Sequence, residues 1–174
     1  QQKNLPFFFF FSRRVLGVIR PTTEVIGSFT ETGKVGVLGT TGTVKSASYI
    51  IEIAKYWPEL KVFQQACPMW VPLIENNEHE SEGANYFVKQ YIDSLMQKES
   101  GIDAVLLGCT HYPLLEKKIR QYLPANVKLL SQGKIVAESL VNYLQRHLEM
   151  EKRLLKQEGR RFFTTDSAED FNNH

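Results

Sequence analysis

Three side chains that can carry acid–base chemistry follow one another in the stretch AVLLGCTHYPLL, residues 104–115. The apolar run ends at Gly108 and is followed at once by Cys109, Thr110 and His111. A thiol between a strand and the first turn of a helix meets backbone amides whose partial positive charge favours the thiolate. The imidazole of His111 can supply a proton or stabilise that anion. The pattern therefore predicts a reactive cysteine at a strand end, although an isolated cysteine is more often a small core residue.

A second polar turn, GTTGTVKS at residues 39–46, also follows an apolar run. It has neither the glycine-lysine-hydroxyl ending of a phosphate loop nor the glycine fingerprint of a dinucleotide site. What remains is a turn of hydroxyls and backbone amides at a helix start, which suits a carboxylate. N-capping of the helix by Thr41 or Thr43 explains the same residues without a ligand. Both interpretations can hold together.

Two further residues have weaker signals. Glu75 ends the apolar run VPLIE, where its carboxylate either guides a substrate or is simply solvated. Cys67 follows an apolar strand and precedes a proline, which predicts a buried, unreactive thiol. Structural zinc sites show paired close spacings, so the set Cys67, Cys109 and His111 predicts no metal site.

The composition restricts the function classes that remain. The 174 residues are 43% hydrophobic and 23% charged, with a formal net charge of +2. The basic residues are scattered, and groups such as Lys117, Lys118 and Arg120 are interpreted as solvated faces, so nucleic-acid binding is not favoured. The two cysteines form no disulfide framework, which favours a reducing cytoplasm. No apolar run reaches the roughly 20 residues of a membrane span, so no membrane partner is expected.

Short apolar runs alternate with helical periodicity along the chain. Strands are predicted at 15–21, 34–40, 61–67, 103–109, 127–131 and 160–166. Helices are predicted from Thr43 to Trp57, over 84–97, from Pro113 onward and over 134–155. Their predicted buried faces carry Ala47, Ile50, Ile51 and Ala54; Val88, Tyr91, Ile92 and Leu95; and Ala137, Leu140, Val141, Leu144 and Leu148. This alternation predicts an α/β fold with a parallel sheet, whose ligands bind beyond the carboxyl ends of the strands.

These residues resemble a known family, the cofactor-independent glutamate racemases of the aspartate/glutamate racemase superfamily. LLGCTHYPLL is similar to the second catalytic-cysteine motif of that family. VGVLGTTGTV, ACPMWVPLIE and GVIRP match further segments in the same order. The resemblance covers about residues 15–166 and corresponds to the second half or more of a racemase.

The resemblance implies a fold of two similar α/β lobes, each a Rossmann-like sandwich, with the active site between them. Residues 1–20 would end the first lobe, residues 21–131 would form the second lobe with Cys109, and residues 132–174 would return to pack on the first. The implied reaction interconverts L- and D-glutamate in the cytoplasm and supplies D-glutamate for peptidoglycan. It needs no cofactor and no metal. Glutamate would be the partner molecule, and a homodimer is possible.

The family pattern also implies roles for single residues. Cys109 would remove the α-proton of L-glutamate and return it in the reverse direction, with His111 assisting the thiol and contacting the substrate. Thr110 would hold the substrate through its backbone or hydroxyl. Thr40 and Thr43 would bind its carboxylate or ammonium groups, and Glu75 would be a lesser contributor near the entrance.

The departures from the family pattern lie towards the N-terminus. The first catalytic-cysteine motif and the aspartate-serine pair that assists it do not occur in this sequence. Cys67 matches a different segment and cannot replace that first cysteine. The start of the chain, including Phe7–Phe11, does not match the family, and we expect the chain to be an N-terminal truncation that binds glutamate weakly and does not racemise it alone. The alternatives are a related aspartate or hydantoin racemase and a non-catalytic ligand-binding module derived from a racemase.

Overall fold

Four strands form one parallel sheet within residues 17–154, the part of the chain that this computed structural model describes. The strands are β1 (Lys34–Gly39), β2 (Lys61–Ala66), β3 (Ala104–Leu107) and β4 (Lys128–Ser131). Their order across the sheet is β2-β1-β3-β4, and all three neighbouring pairs are parallel. The predicted α/β class is confirmed, and the strand predicted at 160–166 lies outside the described residues.

Helices connect the strands and cover both faces of the sheet. They are α1 (Ile19–Val25), α2 (Thr41–Ser46), α3 (Ser48–Tyr56), α4 (Trp70–Glu75), α5 (Glu82–Lys98), α6 (Glu116–Tyr122), α7 (Gln132–Arg146) and α8 (Leu148–Glu151). Two 3-10 helices, Ile26–Phe29 and Tyr112–Leu115, follow α1 and precede α6. Within the described residues no helix is long and apolar enough to span a bilayer.

The two faces of the sheet belong to two separate apolar cores, because successive side chains of a strand point to opposite faces. In β1, Leu38 joins the core under α4, α5 and α6, which is centred on Trp70 and Tyr112. Val35 and Val37 join the core under α1 and α3, which includes Tyr49, Ile53 and Ile26. All strand residues from Val35 to Gly39 are buried, as expected for a central parallel strand.

A carboxylate fixes the turn that enters β1. Asp103 accepts hydrogen bonds from the hydroxyl of Thr30 and from the backbone amides of Glu31 and Thr32, at 2.7 and 3.0 Å for the two amides. Burial acts to raise the pKa of Asp103, but these hydrogen bonds outweigh it and lower the pKa below its ordinary value. The ionised carboxylate therefore ties the start of β1 to the start of β3.

Two predicted elements near the N-terminus are wrong. The predicted strand at 15–21 is a helix from Ile19 onward. Pro21 does not interrupt this helix, because it lies in the first turn of α1, where its missing amide hydrogen is not needed. The predicted helix from Thr43 to Trp57 is broken at Ala47, which has a left-handed backbone with φ 52°. The break shifts the helical phase, so Tyr49 and Ile53 are buried whereas Ile50 and Ile51 of the predicted inner face are exposed.

Two further segments differ from the prediction. The stretch after β2, expected to be irregular, contains α4, which is closed by Asn77 at φ 57° and by a bond from the Glu78 amide to Leu73 O. The long helix predicted over 134–155 is divided at His147 into α7 and α8. Its predicted inner stripe is not buried in the described residues, with Leu140, Val141 and Leu148 all exposed. The face predicted for α5 is confirmed, since its four apolar residues are all buried.

Candidate active site

A cleft of about 320 Å³ opens at the carboxyl ends of β1 and β3. β1 is the strand from which the chain passes to β2 on one side and later to β3 on the other, which is where parallel α/β sheets bind ligands. The first turn of α2, which follows β1, contributes Gly42 and Thr43, and the turn after β3 contributes Gly108, Cys109 and Thr110. The remaining lining residues are Val18, Ile19, Ser46, Ser48, Tyr49 and Gln132. The two polar turns noted in the sequence therefore face one cleft.

Cys109 lies half-buried in the wall of this cleft. The backbone before it is anchored because the Gly108 amide donates to Leu38 O at 2.7 Å. The backbone after it turns directly into the 3-10 helix, with the Tyr112 amide donating to Cys109 O at 3.2 Å. Cys109 Sγ is 3.8 Å from His111 Nδ1, within the range of a hydrogen bond to sulfur. The structure thus joins the thiol and the imidazole that the sequence placed two residues apart.

Glu75 lies on the other side of the same imidazole. Its Oε1 atom is 3.5 Å from His111 Nε2, and both side chains are partly exposed. The sequence left open whether Glu75 guides substrate or is simply solvated. In the structure Glu75 is partly exposed and lies against His111, and neither residue is among those that line the cleft. A carboxylate that orients an imidazole, which in turn serves a thiol, is the arrangement that activates a nucleophile or base. The three groups can hold and transfer a proton at Cys109 Sγ.

Buried hydrogen bonds hold the Glu75 and His111 segments together. Tyr112 donates its hydroxyl to Cys67 O at 3.2 Å, and burial raises the pKa of this hydroxyl so that it stays protonated. Lys118, only 7% exposed, donates through Nζ to Asn85 Oδ1 at 2.7 Å and to Glu80 O at 3.1 Å. Lys118 was predicted to be solvated, so that interpretation is wrong. Its charged end is buried by the loop that follows α4.

The threonines predicted to bind substrate have unequal positions. Thr40 is the N-cap of α2: its Oγ1 accepts from the Thr43 amide at 3.2 Å and lies 3.0 Å from Thr43 Oγ1. The expectation that Thr41 or Thr43 caps this helix is therefore wrong. Thr43 and the exposed Thr110 line the cleft. Thr40 does not line it, and instead holds Thr43 in place through its contacts with the Thr43 amide and hydroxyl.

Two lining residues were not predicted from the sequence. Tyr49 and Gln132 meet in the cleft wall, where Gln132 Nε2 donates to Tyr49 Oη at 2.6 Å and to Leu107 O at 3.0 Å. The available signal was the polar sequence Ser-Gln-Gly at the carboxyl end of β4, which is the same position that Gly-Cys-Thr has after β3. Tyr49 had no signal, because an aromatic residue at helical spacing indicates only a core position.

The other cysteine has no access to the cleft. Cys67 is completely buried in the core beside Trp70, and its thiol contacts Gln65 O at 3.6 Å. Burial raises the pKa of this thiol strongly, which keeps it protonated. The prediction of a buried thiol is confirmed. Among the described residues, no group of three or more histidine, cysteine or acidic side chains is placed to hold a metal ion.

Comparison with known proteins relates this chain to one protein family. The profile of the Asp/Glu/hydantoin racemase family matches residues 13–140. A protein named glutamate racemase from Geobacter metallireducens is 35% identical over 157 residues, which cover 90% of this chain and 57% of the relative. The chain spans little more than half the length of that relative. It belongs to the Asp/Glu/hydantoin racemase family.

Solved structures show the same relationship. A glutamate racemase isoform from Bacillus anthracis superposes with a TM-score of 0.83 at 34% identity, covering 95% of this chain and 60% of that chain. The glutamate racemase of Francisella tularensis in complex with D-glutamate superposes with a TM-score of 0.68 at 26% identity, over 81% of this chain and 49% of that one. These similarities confirm the resemblance seen in the sequence and the racemase-type α/β fold.

Proposed function

We propose that this chain is the Cys109-bearing part of a glutamate racemase that interconverts L- and D-glutamate. The observation that carries the proposal is the half-buried thiol of Cys109 in the cleft wall at the carboxyl ends of β1 and β3, with the imidazole of His111 beside it and the carboxylate of Glu75 on the other side of that imidazole. The relatives named glutamate racemase, and the one solved with D-glutamate, support the choice of substrate. The conversion would supply D-glutamate for peptidoglycan in the cytoplasm.

The proposed reaction is a proton transfer at the α-carbon. Cys109 as thiolate takes the α-proton of L-glutamate and, as thiol, returns it to the carbanion in the opposite direction. His111 exchanges a proton with the thiol through its Nδ1 atom, which is 3.8 Å from Cys109 Sγ. Glu75 orients the imidazole ring through its contact with Nε2. Neutral donors close to the α-carboxylate lower the energy of the carbanion in a water-poor site. Thr43 and Thr110, which line the cleft, are the proposed donors from this chain.

Racemisation also needs an acid on the opposite face of the α-carbon. Cys67 cannot serve, because it is fully buried and belongs to the core. We therefore place the second thiol in a first lobe, consistent with the chain spanning 57% of one relative and 60% of one solved structure. On this proposal residues 1–20, of which 1–16 lie outside the described part of the chain, end that lobe and residues 21–131 form the second lobe. The chain alone would bind glutamate weakly without racemising it.

The exposed stripe of α7 and α8 supports a role for residues 132–174. Leu140 is 42% exposed, Val141 54% and Leu148 59%, so an apolar surface several residues long faces outward. Such a surface on a helix is usually covered by another part of the protein. We propose that this segment packs on the first lobe. Formation of a homodimer would be a second way to cover the apolar surface of α7 and α8.

Polarimetry on the full-length gene product tests the function. We expect L-glutamate to lose optical rotation with time and D-glutamate to do the same from the opposite sign. L-aspartate is the control substrate, and faster turnover of aspartate than of glutamate would replace the proposal with an aspartate racemase. Saturable glutamate binding without turnover of either amino acid would support a non-catalytic module.

A further inference from the structure

Tyr49 is a buried tyrosine in the wall of the Cys109 cleft for which the proposed reaction has no role. It lies on α3 with 2% of its surface exposed and lines the cleft. Its ring packs on the backbone of Gly108, so closely that a Cβ added there would lie 3.1 Å from Tyr49 Cε2. The tyrosine is therefore next to the residue that carries the thiol into the cleft.

Gln132 fixes the direction in which the tyrosine hydroxyl donates. The carbonyl oxygen of Leu107 can only accept, so the Gln132 nitrogen faces it at 3.0 Å and also reaches Tyr49 Oη at 2.6 Å. The reversed amide would bring two oxygens together and is excluded. Within the described residues, the buried Oε1 of Gln132 has no donor. The side chain is thus held by the bonds of its nitrogen.

The hydroxyl hydrogen of Tyr49 is left for a ligand. Because Tyr49 Oη accepts from Gln132, its own hydrogen points elsewhere, and within residues 17–154 this hydroxyl makes no other hydrogen bond. Burial raises the pKa of Tyr49, so the group is a neutral donor at physiological pH. A buried donor without an acceptor is unfavourable, and a ligand that supplies one gains affinity.

The proposed ligand, glutamate, brings carboxylate groups that accept hydrogen bonds. The lining residues in the described chain include no lysine or arginine, so neutral donors would have to bind such a carboxylate in this cleft. Hydrogen bonds to an ionised acceptor are roughly twice as strong as those between neutral groups. A phenol held in one direction satisfies this need without adding a charge beside the thiol.

We propose that Tyr49 is a substrate-binding residue whose hydroxyl donates to a carboxylate of the ligand, and that Gln132 is the residue that positions it. This inference rests on the proposed function, since it takes the ligand to be an amino dicarboxylic acid. Tyr49, on α3, thus joins Thr43 and Thr110 as a proposed hydrogen-bond donor to the carboxylates of the ligand.

The test is the protection of Cys109 from iodoacetamide by L-glutamate in the full chain, with labelling of each cysteine peptide read by mass spectrometry. Tyr49→Phe keeps the ring and removes only the hydroxyl. We expect the half-protecting glutamate concentration to rise about tenfold or more, the usual effect of losing a hydrogen bond to a charged group. Tyr91→Phe, which removes the hydroxyl of a buried tyrosine in the opposite core, is the control and should change this concentration less than twofold.

A second variant separates positioning from general packing. Gln132→Met keeps the length of the side chain and should raise the same concentration in the native background, but not further when combined with Tyr49→Phe. It also carries the test if Tyr49→Phe does not fold. Additive effects of the two substitutions would contradict the positioning role.

The inference would be overturned if glutamate protected Cys109 equally well in Tyr49→Phe and in the native chain. It would also be overturned if no dicarboxylic acid protected Cys109 in the native chain. The proposed function fails in a different assay. If glutamate protects Cys109 through Tyr49 while the full-length protein does not racemise it, the inference stands and the racemase proposal is lost.

Discussion

The most stringent structural prediction concerns the glycine that precedes Cys109. A Cβ at Gly108 would lie 3.0 Å from Leu38 O, 3.1 Å from Tyr49 Cε2 and 3.3 Å from Val37 Cγ1. The Leu38 carbonyl cannot move away easily, because it accepts from the Gly108 amide itself at 2.7 Å. Gly108→Ala therefore forces either this hydrogen bond or the ring of Tyr49 to shift.

The expected cost combines two effects. Adding a methyl group to a packed site costs about 1–3 kcal/mol. Weakening the bond to Leu38 O adds up to about 1 kcal/mol. We expect Gly108→Ala to lower the free energy of unfolding by about 1–4 kcal/mol, with a central value of about 2 kcal/mol. With a urea m-value of about 2 kcal/mol/M, the unfolding midpoint falls by roughly 1 M.

The assay is urea unfolding followed by circular dichroism, with Gly133→Ala as the matched control. Gly133 lies in α7 with no atom within 4 Å of an added Cβ, so alanine there should leave stability unchanged or raise it by up to about 1 kcal/mol. A Gly108→Ala chain with the native midpoint would refute the close approach of β1, α3 and the cysteine turn. A Gly133→Ala chain that loses as much stability would show that glycine substitution is harmful in general.

The remaining predictions concern the thiols, one carboxylate of the fold and one of the site. Iodoacetamide should label Cys109 at least about 100-fold faster than Cys67, because alkylation of the fully buried Cys67 requires unfolding, and equal rates by peptide mass spectrometry would contradict the burial. Because the folded state lowers the pKa of Asp103, its contribution to stability is present above about pH 4 and is lost as pH falls through the folded pKa. Asp103→Asn should thus destabilise the chain at pH 7 and flatten the loss of stability in acid, measured by urea midpoints against pH. In the full-length protein, Glu75→Gln should lower kcat about tenfold with little change in KM, since the carboxylate acts through a partly exposed imidazole. Glu78→Gln on the following loop is the control. Equal losses of kcat in both variants would contradict this role of Glu75.

The fold was predictable to the extent that it depends on buried parallel strands. All four strands of the sheet were predicted because apolar residues run continuously between turn signals, and the face of α5 was predicted from its regular period. Helix α1 was not, because a β-branched run before Pro21 resembles a strand end when its packing against α3 is unknown. The left-handed backbone conformation of the single residue Ala47 changes which side of α3 is buried. It could not be predicted, because alanine gives no sign of a left-handed conformation.

The site divides in the same way. Cys109 and His111 were predicted as site residues from their place after a strand, and Thr43 from the family resemblance; Cys109 and Thr43 line the cleft, and His111 lies beside the thiol. The contacts that organise them join residues far apart in sequence, such as Glu75 with His111 and Gln132 with Tyr49. Periodicity carries no information on such pairs, so the contact of Glu75 with His111 was not predicted and Gln132 was not predicted at all. The charge of Lys118 suggested solvent, whereas its bonds to Asn85 and Glu80 make it part of the interior.

The central claim is that the sulfur of Cys109 takes up and returns the α-proton of glutamate. The direct measurement is deuterium incorporation at the α-carbon of L-glutamate in D₂O, followed by NMR on the full-length gene product and on Cys109→Ser, with Cys67→Ala as the cysteine control. We expect exchange in the native protein and in Cys67→Ala, and an exchange rate at least about 100-fold lower in Cys109→Ser. Exchange at the native rate without the Cys109 sulfur would contradict it.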